Sequence, residues 1–332
     1  MLTKLPHLQA LSLGLLALAG CRSGGALTSA PAPAVEVVVL GVAQDAGLPH
    51  IGCERPTCTR ARAEGHRERV ACLGIRGRTG WWLLDATPDL PAQLAAMGEA
   101  SGGPVGGAGA LPDGIFLTHA HVGHYTGLMY LGREALGARG VPVWCGPRMQ
   151  AFLEQDGPWS QLVDLGQVDL QPLRDGVPLE LEPGLSLTPL AVPHRDEFSG
   201  TYAFVVRVEG GGSVLYVPDI DGWEEWEHGL EEFLVPGATL LLDGTFYSGD
   251  ELPGRDLDEI PHPLVSRTLD RVEGLGAWSR GPVAPRVGFI HLNHSNPLWD
   301  RGSPARQDLE ERGFFVAHEG LRLDLSAASA AR

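Results

Sequence analysis

Three histidines lie within six residues in the segment Thr118-His119-Ala120-His121-Val122-Gly123-His124. The apolar run before it, Gly114-Ile115-Phe116-Leu117, is typical of a short buried strand. Side chains two apart on a strand point to the same face, so His119 and His121 are expected to lie together. His124 falls where the next helix is expected to begin. Neutral imidazole binds zinc, iron or manganese, and the segment therefore predicts a metal site rather than three surface histidines.

Short strands interspersed with helices are expected on both sides of this segment. The chain contains 45 Gly and 26 Pro, which favours many short strands joined by turns over a helical bundle. The apolar pattern predicts strands over residues 35–40, 81–85, 114–118, 141–145, 185–192, 201–208, 213–217, 238–243, 286–290, 314–316 and 321–325. It predicts helices over residues 125–138, 149–154 and 264–275, and a loop over residues 101–110. This order favours sheets with helices on their outer faces.

The histidine segment resembles the His-x-His-x-Asp-His motif of the metallo-β-lactamase superfamily. The other motif positions of that superfamily are matched in order by Asp85, His194, Asp219 and His291. The resemblance covers residues 35–325. It implies an α/β fold, a four-layer αββα sandwich, with the site at one edge of its two sheets.

The resemblance also implies a ligand set. His119, His121 and His194 would bind a first metal, and His124, Asp219 and His291 a second, with Asp219 bridging the two. Zinc is the expected metal, as one or two ions, with manganese or iron as alternatives. A water on the metal, with its pKa near ~7, would be the nucleophile, and Asp219 and His291 would be catalytic.

One position departs from the superfamily motif, because Gly123 stands where the motif has an aspartate. Three interpretations remain open: a single metal, two metals with a replacement carboxylate, or a site kept for binding alone. Asp45, in the glycine-flanked loop Gly41–Gly47 after the first predicted strand, is the first candidate for the replacement. Asp243, at the end of the predicted strand 238–243, is the second.

The segment around Cys53 and Cys58 resembles an N-terminal insertion found in two branches of the superfamily. These are the cyclic phosphodiesterase of phosphonate breakdown and pyrroloquinoline-quinone biosynthesis protein B, in which a Cys-x-Cys-x-x-Cys group can hold structural zinc. Arg55 replaces the middle cysteine here. His262 resembles the distant histidine that completes the site. A structural zinc at Cys53, Cys58 and His262 is one expectation, with His50 or Cys72 as a possible fourth ligand, because such a site needs four. A disulfide or free thiols are the alternatives.

The N-terminus is predicted to be a leader followed by a linker. The apolar run over residues 11–19 is too short for a spanning helix, and Leu18-Ala19-Gly20-Cys21 resembles a bacterial lipobox. We expect a signal peptide over residues 1–20, lipidation of Cys21, a tether over 21–34 and a disordered tail over 326–332. The alternative is an ordinary secretory signal. The protein would then be exported and lipid-anchored in the bacterial envelope, facing the periplasm.

The net charge of −16 argues against nucleic acid as a partner, because an acidic chain gains nothing from counterion release. A small-molecule substrate is expected, and membrane contact only through the lipid. The favoured function is a metallo-hydrolase acting on a phosphodiester, ester or lactone bond. The alternative is a non-catalytic or cofactor-handling envelope protein related to pyrroloquinoline-quinone biosynthesis protein B.

Overall fold

Two seven-stranded sheets form the centre of the structure. The computed structural model describes residues 35–100, 111–256, 260–281 and 283–326, without the side chains of Glu99 and Ala100. In chain order the strands are β1 (Glu36–Gly41), β2 (Cys72–Arg76), β3 (Trp81–Leu84), β4 (Gly114–Phe116), β5 (Val141–Cys145), β6 (Val168–Pro172), β7 (Leu179–Glu182), β8 (Leu185–Val192), β9 (Thr201–Val208), β10 (Ser213–Val217), β11 (Ala238–Asp243), β12 (Arg286–Ile290), β13 (Phe315–Val316) and β14 (Arg322–Asp324).

Each of the two sheets combines an antiparallel half with a parallel half. The first sheet has the order β14-β1-β2-β3-β4-β5-β6, and the second has the order β13-β12-β11-β10-β9-β8-β7. The β1–β3 region is antiparallel and β3–β6 pair in parallel. In the second sheet β7–β10 are antiparallel and β10–β13 are parallel. The parallel halves matter for the site, because carboxyl ends of parallel strands meet at one edge.

Helices cover the outer face of each sheet. In chain order the α-helices of the described residues are α1 (Pro56–Glu64), α2 (Leu90–Ala100), α3 (Val122–Tyr125), α4 (Pro147–Gln155), α5 (Trp159–Asp164), α6 (Val265–Gly274) and α7 (Pro304–Glu311). Short 3-10 helices lie at Thr126–Leu131, Leu230–Glu232, Gly249–Glu251 and Pro297–Trp299. Helices α2 to α5 pack on the first sheet and α6 and α7 on the second. Apolar side chains of both sheets, among them Phe116 and Phe204, fill the space between them. The predicted αββα sandwich is confirmed.

Most of the predicted elements are present, with their ends shifted by a few residues. Strands β8 to β11 match the predicted ranges closely. Strands β2, β6 and β7 were not predicted from the apolar pattern; β6 and β7 are short and only partly buried. Part of the sequence prediction lies outside the described residues, namely the signal peptide, the tether with Cys21, the loop over 101–110 and the tail beyond Ser326. Among the described residues, no helix is both long and apolar enough to cross a membrane.

The helix predicted over residues 125–138 is wrong in its extent. The chain forms only the single turn α3 and then a 3-10 helix that ends at Leu131. Gly132 is extended, with φ −63° and ψ 163°, and Leu136 beyond it is 52% exposed. A side chain at Gly127 would meet the carbonyl oxygen of Thr87, so the segment is pressed closely against the turn after β3. The glycines therefore interrupt what the spacing of the leucines suggested was one helix.

Candidate metal centre

The predicted site residues follow strands of both sheets at one edge of the sandwich. His119 follows β4 of the first sheet, and His194 follows β8 of the second. Asp219 follows β10 and His291 follows β12, and these strands run parallel to β11 between them. Because parallel strands end at the same edge, Asp219 and His291 come together there.

The loop that carries Asp45 is fixed to the segment that carries His291. The amide of Gln44 donates to the carbonyl of Leu292, and the amide of Leu292 donates to the carbonyl of Val42, both at 2.9 Å. Asp45 therefore lies beside His291, although the two residues come from different sheets.

Three imidazoles form the first cluster. His119 Nε2 lies 2.8 Å from His121 Nδ1, and His194 Nε2 lies 3.3 Å from the same nitrogen. Asp219 completes the cluster, with Oδ2 at 3.6 Å from His119 Nε2 and Oδ1 at 3.9 Å from His194 Nε2. These are the residues predicted for the first metal, and the structure brings all of them together.

The second cluster consists of four buried atoms that make no hydrogen bond of good geometry and face one another at ion-pair distances. They are Asp45 Oδ1, His124 Nε2, Asp219 Oδ2 and His291 Nε2. His124 Nε2 is 2.9 Å from Asp219 Oδ2 and 3.4 Å from Asp45 Oδ1. His291 Nε2 is 3.4 Å and 3.6 Å from the same two oxygens. Each buried polar atom left unpaired costs about 1–3 kcal/mol, so a cluster of four calls for an occupant.

The position of Gly123 explains how Asp45 reaches this cluster. A Cβ atom on residue 123 would lie 2.2 Å from Asp45 Oδ1 and 2.7 Å from its Cα. The carboxylate of Asp45 thus fills the space that a side chain at position 123 would need. Asp243, the second candidate for the replacement carboxylate, does not join this group.

Burial and charge set the protonation of the histidines. Burial lowers the pKa of His119, His121 and His194, which leaves their imidazoles neutral and able to bind a metal. Burial alone would also lower the pKa of His124, but the carboxylate of Asp85 and its other acidic neighbours raise it well above the usual value. Burial would raise the pKa of Asp45, yet His124 and His291 hold it well below its usual range.

Comparison with known proteins places this geometry in a family. A family model described as a β-lactamase superfamily domain matches residues 80–291, which is more than half of the chain. The chain belongs to the β-lactamase superfamily. The match includes all five histidines that were predicted for the two clusters, and its last residue is His291.

Relatives of this superfamily member fall in the predicted branch. Coenzyme PQQ synthesis protein B of Methylobacterium radiotolerans is 28% identical over 322 residues, covering 88% of this chain and 100% of the relative. The protein of the same name from Pseudomonas putida is 29% identical and covers 87% and 99%. A zinc-bound PqqB from Methylobacterium extorquens has a TM-score of 0.68 at 22% identity, over 87% of this chain and 100% of that one. A diphosphatase of the PhnP family has a TM-score of 0.61 at 22% identity, over 88% and 98%.

In each histidine of the two clusters, the ring nitrogen that points away from the cluster contacts a polar side chain, which orients the ring. His124 Nδ1 lies 2.8 Å from Asp85, His194 Nδ1 2.9 Å from Asp221 and His121 Nε2 3.3 Å from Glu197. The hydroxyls of Thr118 and Thr245 lie 3.0 Å and 3.1 Å from Nδ1 of His119 and His291. Such partners fix the ring orientation and leave the inner nitrogen free for a metal.

The sequence prediction found only Asp85 among these supporting residues. Thr245 and Asp221 each lie two residues beyond a strand-end aspartate, Asp243 and Asp219. That spacing is a usable signal for the two residues. Glu197 carries no such signal, because its contact depends on how the loop after His194 folds.

The prediction that His262 completes the Cys53 and Cys58 cluster is wrong. His262 lies at the main site, with Nδ1 2.8 Å from Asp243 Oδ2 and 3.6 Å from Asp219 Oδ1. It also lines a cavity of about 300 Å³ beside the site. The histidine at the cysteines is His294, whose Nδ1 is 3.4 Å from Cys53 Sγ and 3.7 Å from Cys58 Sγ. His294 was missed although it stands three residues after His291, because the segment containing His262 resembled the family pattern more closely.

Proposed function

We propose that this chain is a metal-dependent hydrolase with two ions at the candidate metal centre. The four unpartnered buried atoms of Asp45, His124, Asp219 and His291 carry this proposal. Ligand atoms around a tetrahedral zinc at about 2.0–2.2 Å are themselves about 3.3–3.6 Å apart. The separations of 3.4, 3.4 and 3.6 Å in the second cluster match that spacing, and His124 Nε2 and Asp219 Oδ2 lie closer together, at 2.9 Å.

The donor set suits zinc, since it combines imidazole nitrogens with carboxylate oxygens. A zinc-bound PqqB among the structural neighbours supports the same ion. Divalent ions in such a pair supply Lewis-acid activation of water and of the bond to be cleaved. Asp219 lies between the two clusters, with Oδ2 near His119, His124 and His291 and Oδ1 towards His194.

His262 and Asp243 are proposed to handle the proton of the leaving group. His262 lines the cavity beside the two clusters, and Asp243 accepts from its Nδ1. Burial would lower the pKa of His262, but the carboxylates of Asp243 and Asp219 raise it above the usual value. A raised pKa favours the protonated imidazole, which can donate its proton to a departing oxygen.

A second candidate function is a role in cofactor handling of the PqqB type. Curated relatives named as coenzyme PQQ synthesis protein B match 88% of this chain, which supports it. The two proposals differ in whether the loaded protein turns over an ester or phosphodiester bond.

Two further proposals concern the parts outside the main centre. Cys53, Cys58 and His294 are proposed to hold a structural zinc, because their three ligand atoms lie within 4.8 Å of one another. The lipobox-like segment supports attachment to the bacterial envelope through Cys21, facing the periplasm. The mass of the mature N-terminal residue tests that attachment.

A hydrolysis screen on metal-loaded protein tests the function. We expect turnover of a phosphodiester, ester or lactone probe, lost after chelation and restored by zinc or manganese. His119→Ala should lose metal and activity together, since its ring faces two other ligands of the first cluster. His318→Ala, at an exposed histidine away from the site, is the matched control. Full metal content in His119→Ala, or no turnover of any probe by the loaded protein, would contradict the proposal.

A further inference from the structure

The segment between His194 and β9 forms a fixed rim beside the first cluster. We call residues 195–199 the rim loop. Arg148 donates to the carboxylate of Asp196 at 2.6 Å and to its backbone carbonyl at 2.8 Å. Glu197 contacts His121, and the hydroxyl of Ser199 accepts from the amide of Ala120 at 2.8 Å. The rim loop is therefore held along the His119–His124 segment by contacts at three of its five residues.

Arg195 is the one cation of the rim loop. It makes no ion pair or side-chain hydrogen bond with any residue that the structure describes. Its side chain is exposed, and the residue directly follows His194, a ligand of the first cluster. The guanidinium is therefore carried by a loop that is held beside the first cluster.

An exposed arginine at this place is free to bind an anion. Divalent ions in the two clusters would repel the guanidinium, and bringing like charges together costs energy. A substrate that carries a negative charge at the reacting group would lie between the arginine and the ions and reverse that repulsion. One unpaired arginine matches one negative charge, and the net charge of −16 disfavours a highly charged substrate.

Phe198 adds an apolar surface to the same loop. Its side chain is 59% exposed, and its ring lies 5.8 Å from that of Phe152. Phe152 in turn packs on Tyr125, which packs on Trp159, so a row of aromatic rings supports it from behind. A large apolar side chain held in this way at the mouth of a site offers a contact for an apolar substituent.

We propose that the rim loop selects the substrate, with Arg195 binding a single negative charge and Phe198 an adjacent apolar group. The inference rests on the proposed hydrolase function and narrows its substrate to a monoanionic ester with an apolar substituent. A phosphodiester and an ester bearing a nearby carboxylate share this chemistry. In either, the water oxygen bonds to phosphorus or carbonyl carbon and the bond to the leaving oxygen breaks. The proton lost by the attacking water passes through solvent to the leaving oxygen, so that the step balances.

Matched probes separate charge from apolar contact. Bis(4-nitrophenyl) phosphate and methyl 4-nitrophenyl phosphate carry one charge and differ in the apolar group. The 4-nitrophenyl monoester of succinate carries a carboxylate, and 4-nitrophenyl butyrate is its neutral counterpart. Arg195→Ala removes one charge-assisted contact, so it should lower kcat/KM about tenfold or more on the anionic probe that is the substrate. The kcat/KM for the neutral 4-nitrophenyl butyrate should not change. Phe198→Ala should lower kcat/KM severalfold more for bis(4-nitrophenyl) phosphate than for methyl 4-nitrophenyl phosphate.

Control variants and a binding measurement complete the test. Arg139→Ala and Leu165→Ala remove an exposed charge and an exposed apolar group before β5 and β6, at the opposite edge of the first sheet, and should change nothing. Calorimetry with diphenyl phosphate and diethyl phosphate should show tighter binding of the first, and weaker binding of both in Arg195→Ala. Equal losses on charged and neutral probes, or unchanged binding in Arg195→Ala, would overturn the proposal. If no probe is turned over, the hydrolase function fails, and calorimetry alone decides whether the rim loop binds the anion.

Discussion

Asp45 and Gly123 share one small volume next to His124. The superfamily motif that this chain resembles carries an aspartate at the position of Gly123, whereas the carboxylate here arrives from the loop after β1. A Cβ atom at position 123 would come within 2.2 Å of Asp45 Oδ1, so the two positions cannot both carry a side chain. The proposed second metal site therefore depends on a glycine at one position and an acid at the other.

Removing either half of this pair should empty the second cluster. Asp45→Asn removes a charged ligand, and Gly123→Ala should push the carboxylate out of place. We expect both variants to retain one zinc at the first cluster and to bind the second ion at least about 100-fold more weakly, beyond the range for loss of an outer-shell partner. Zinc per chain, measured by elemental analysis after dialysis at fixed free zinc, checks this.

The matched control for the glycine is Gly274→Ala, at the end of α6. A Cβ atom there meets nothing within 4 Å, so metal content should not change. Two ions in Asp45→Asn would show that Asp45 is a turn residue and not a ligand.

Some of these residues were predictable one at a time and others were not. Asp45 was predicted because glycines flank it directly after the first strand, where a loop can approach a strand-end site. By contrast, the sequence did not reveal that His294, and not His262, lies beside Cys53 and Cys58. Which histidine reaches Cys53 and Cys58 depends on the path of the loop before α6, and that path is set by packing rather than by local spacing.

At the scale of elements, β11 and the loop before α6 together build the proposed proton donor. Asp243 is the last residue of β11, and His262 comes from the loop that leads into α6. Asp243 Oδ1 accepts from the amide of Thr245 at 2.9 Å, which leaves Oδ2 directed at His262. The strand thus fixes the carboxylate, and the carboxylate fixes the imidazole.

This arrangement predicts a shift in pH dependence. Asp243 raises the pKa of His262 against the effect of burial, so Asp243→Asn should lower it. A proton donor works below its pKa, and the alkaline limb of the kcat profile should therefore move to lower pH in the variant. The measurement is kcat against pH on the metal-loaded protein with any probe that is turned over.

Asp169→Asn, on the exposed part of β6, serves as the control and should keep the wild-type profile. An alkaline limb that stays in place in Asp243→Asn, or moves to higher pH, would assign the proton donor elsewhere.

The helical elements show where the apolar pattern misleads. Residues 264–275 were predicted as a helix and form α6, whose buried face carries Val265, Leu269 and Val272. Leu128 and Leu131 have the same kind of spacing, yet the chain there forms only one α turn and a 3-10 helix. Glycines at 127 and 132 let the backbone pack against the turn after β3, and this tertiary contact outweighs the apolar period.

At the scale of the whole molecule, the site exists because two similar sheets end at the same edge. The first sheet supplies His119, His121 and His124 after β4 and Asp45 after β1, and the second supplies His194, Asp219 and His291. The hydrogen bonds between residues 42–44 and Leu292 join the two sheets beside the second cluster. Stability of the sandwich and geometry of the site are therefore linked, since a relative shift of the sheets would separate the ligands.

The sandwich itself was predictable from the order of motifs, whereas the number of ligands was not. The order of strand-end aspartates and histidines along the chain is a long-range pattern. It can still be recognised when one motif residue is replaced, as at Gly123. The outcome at Gly123 required knowledge of which loop of the folded chain lies opposite it, and only the packed sheets supply that.

Anomalous diffraction at the zinc edge, from crystals of the zinc-loaded protein, tests the central claim most directly. We expect one peak among His119, His121, His194 and Asp219, and a second, about 3.5–4 Å away, among Asp45, His124, Asp219 and His291. A further peak at Cys53, Cys58 and His294 would report only the structural zinc. A single peak at the first cluster, with the carboxylate of Asp45 turned away from His124 and His291, would contradict the two-ion account.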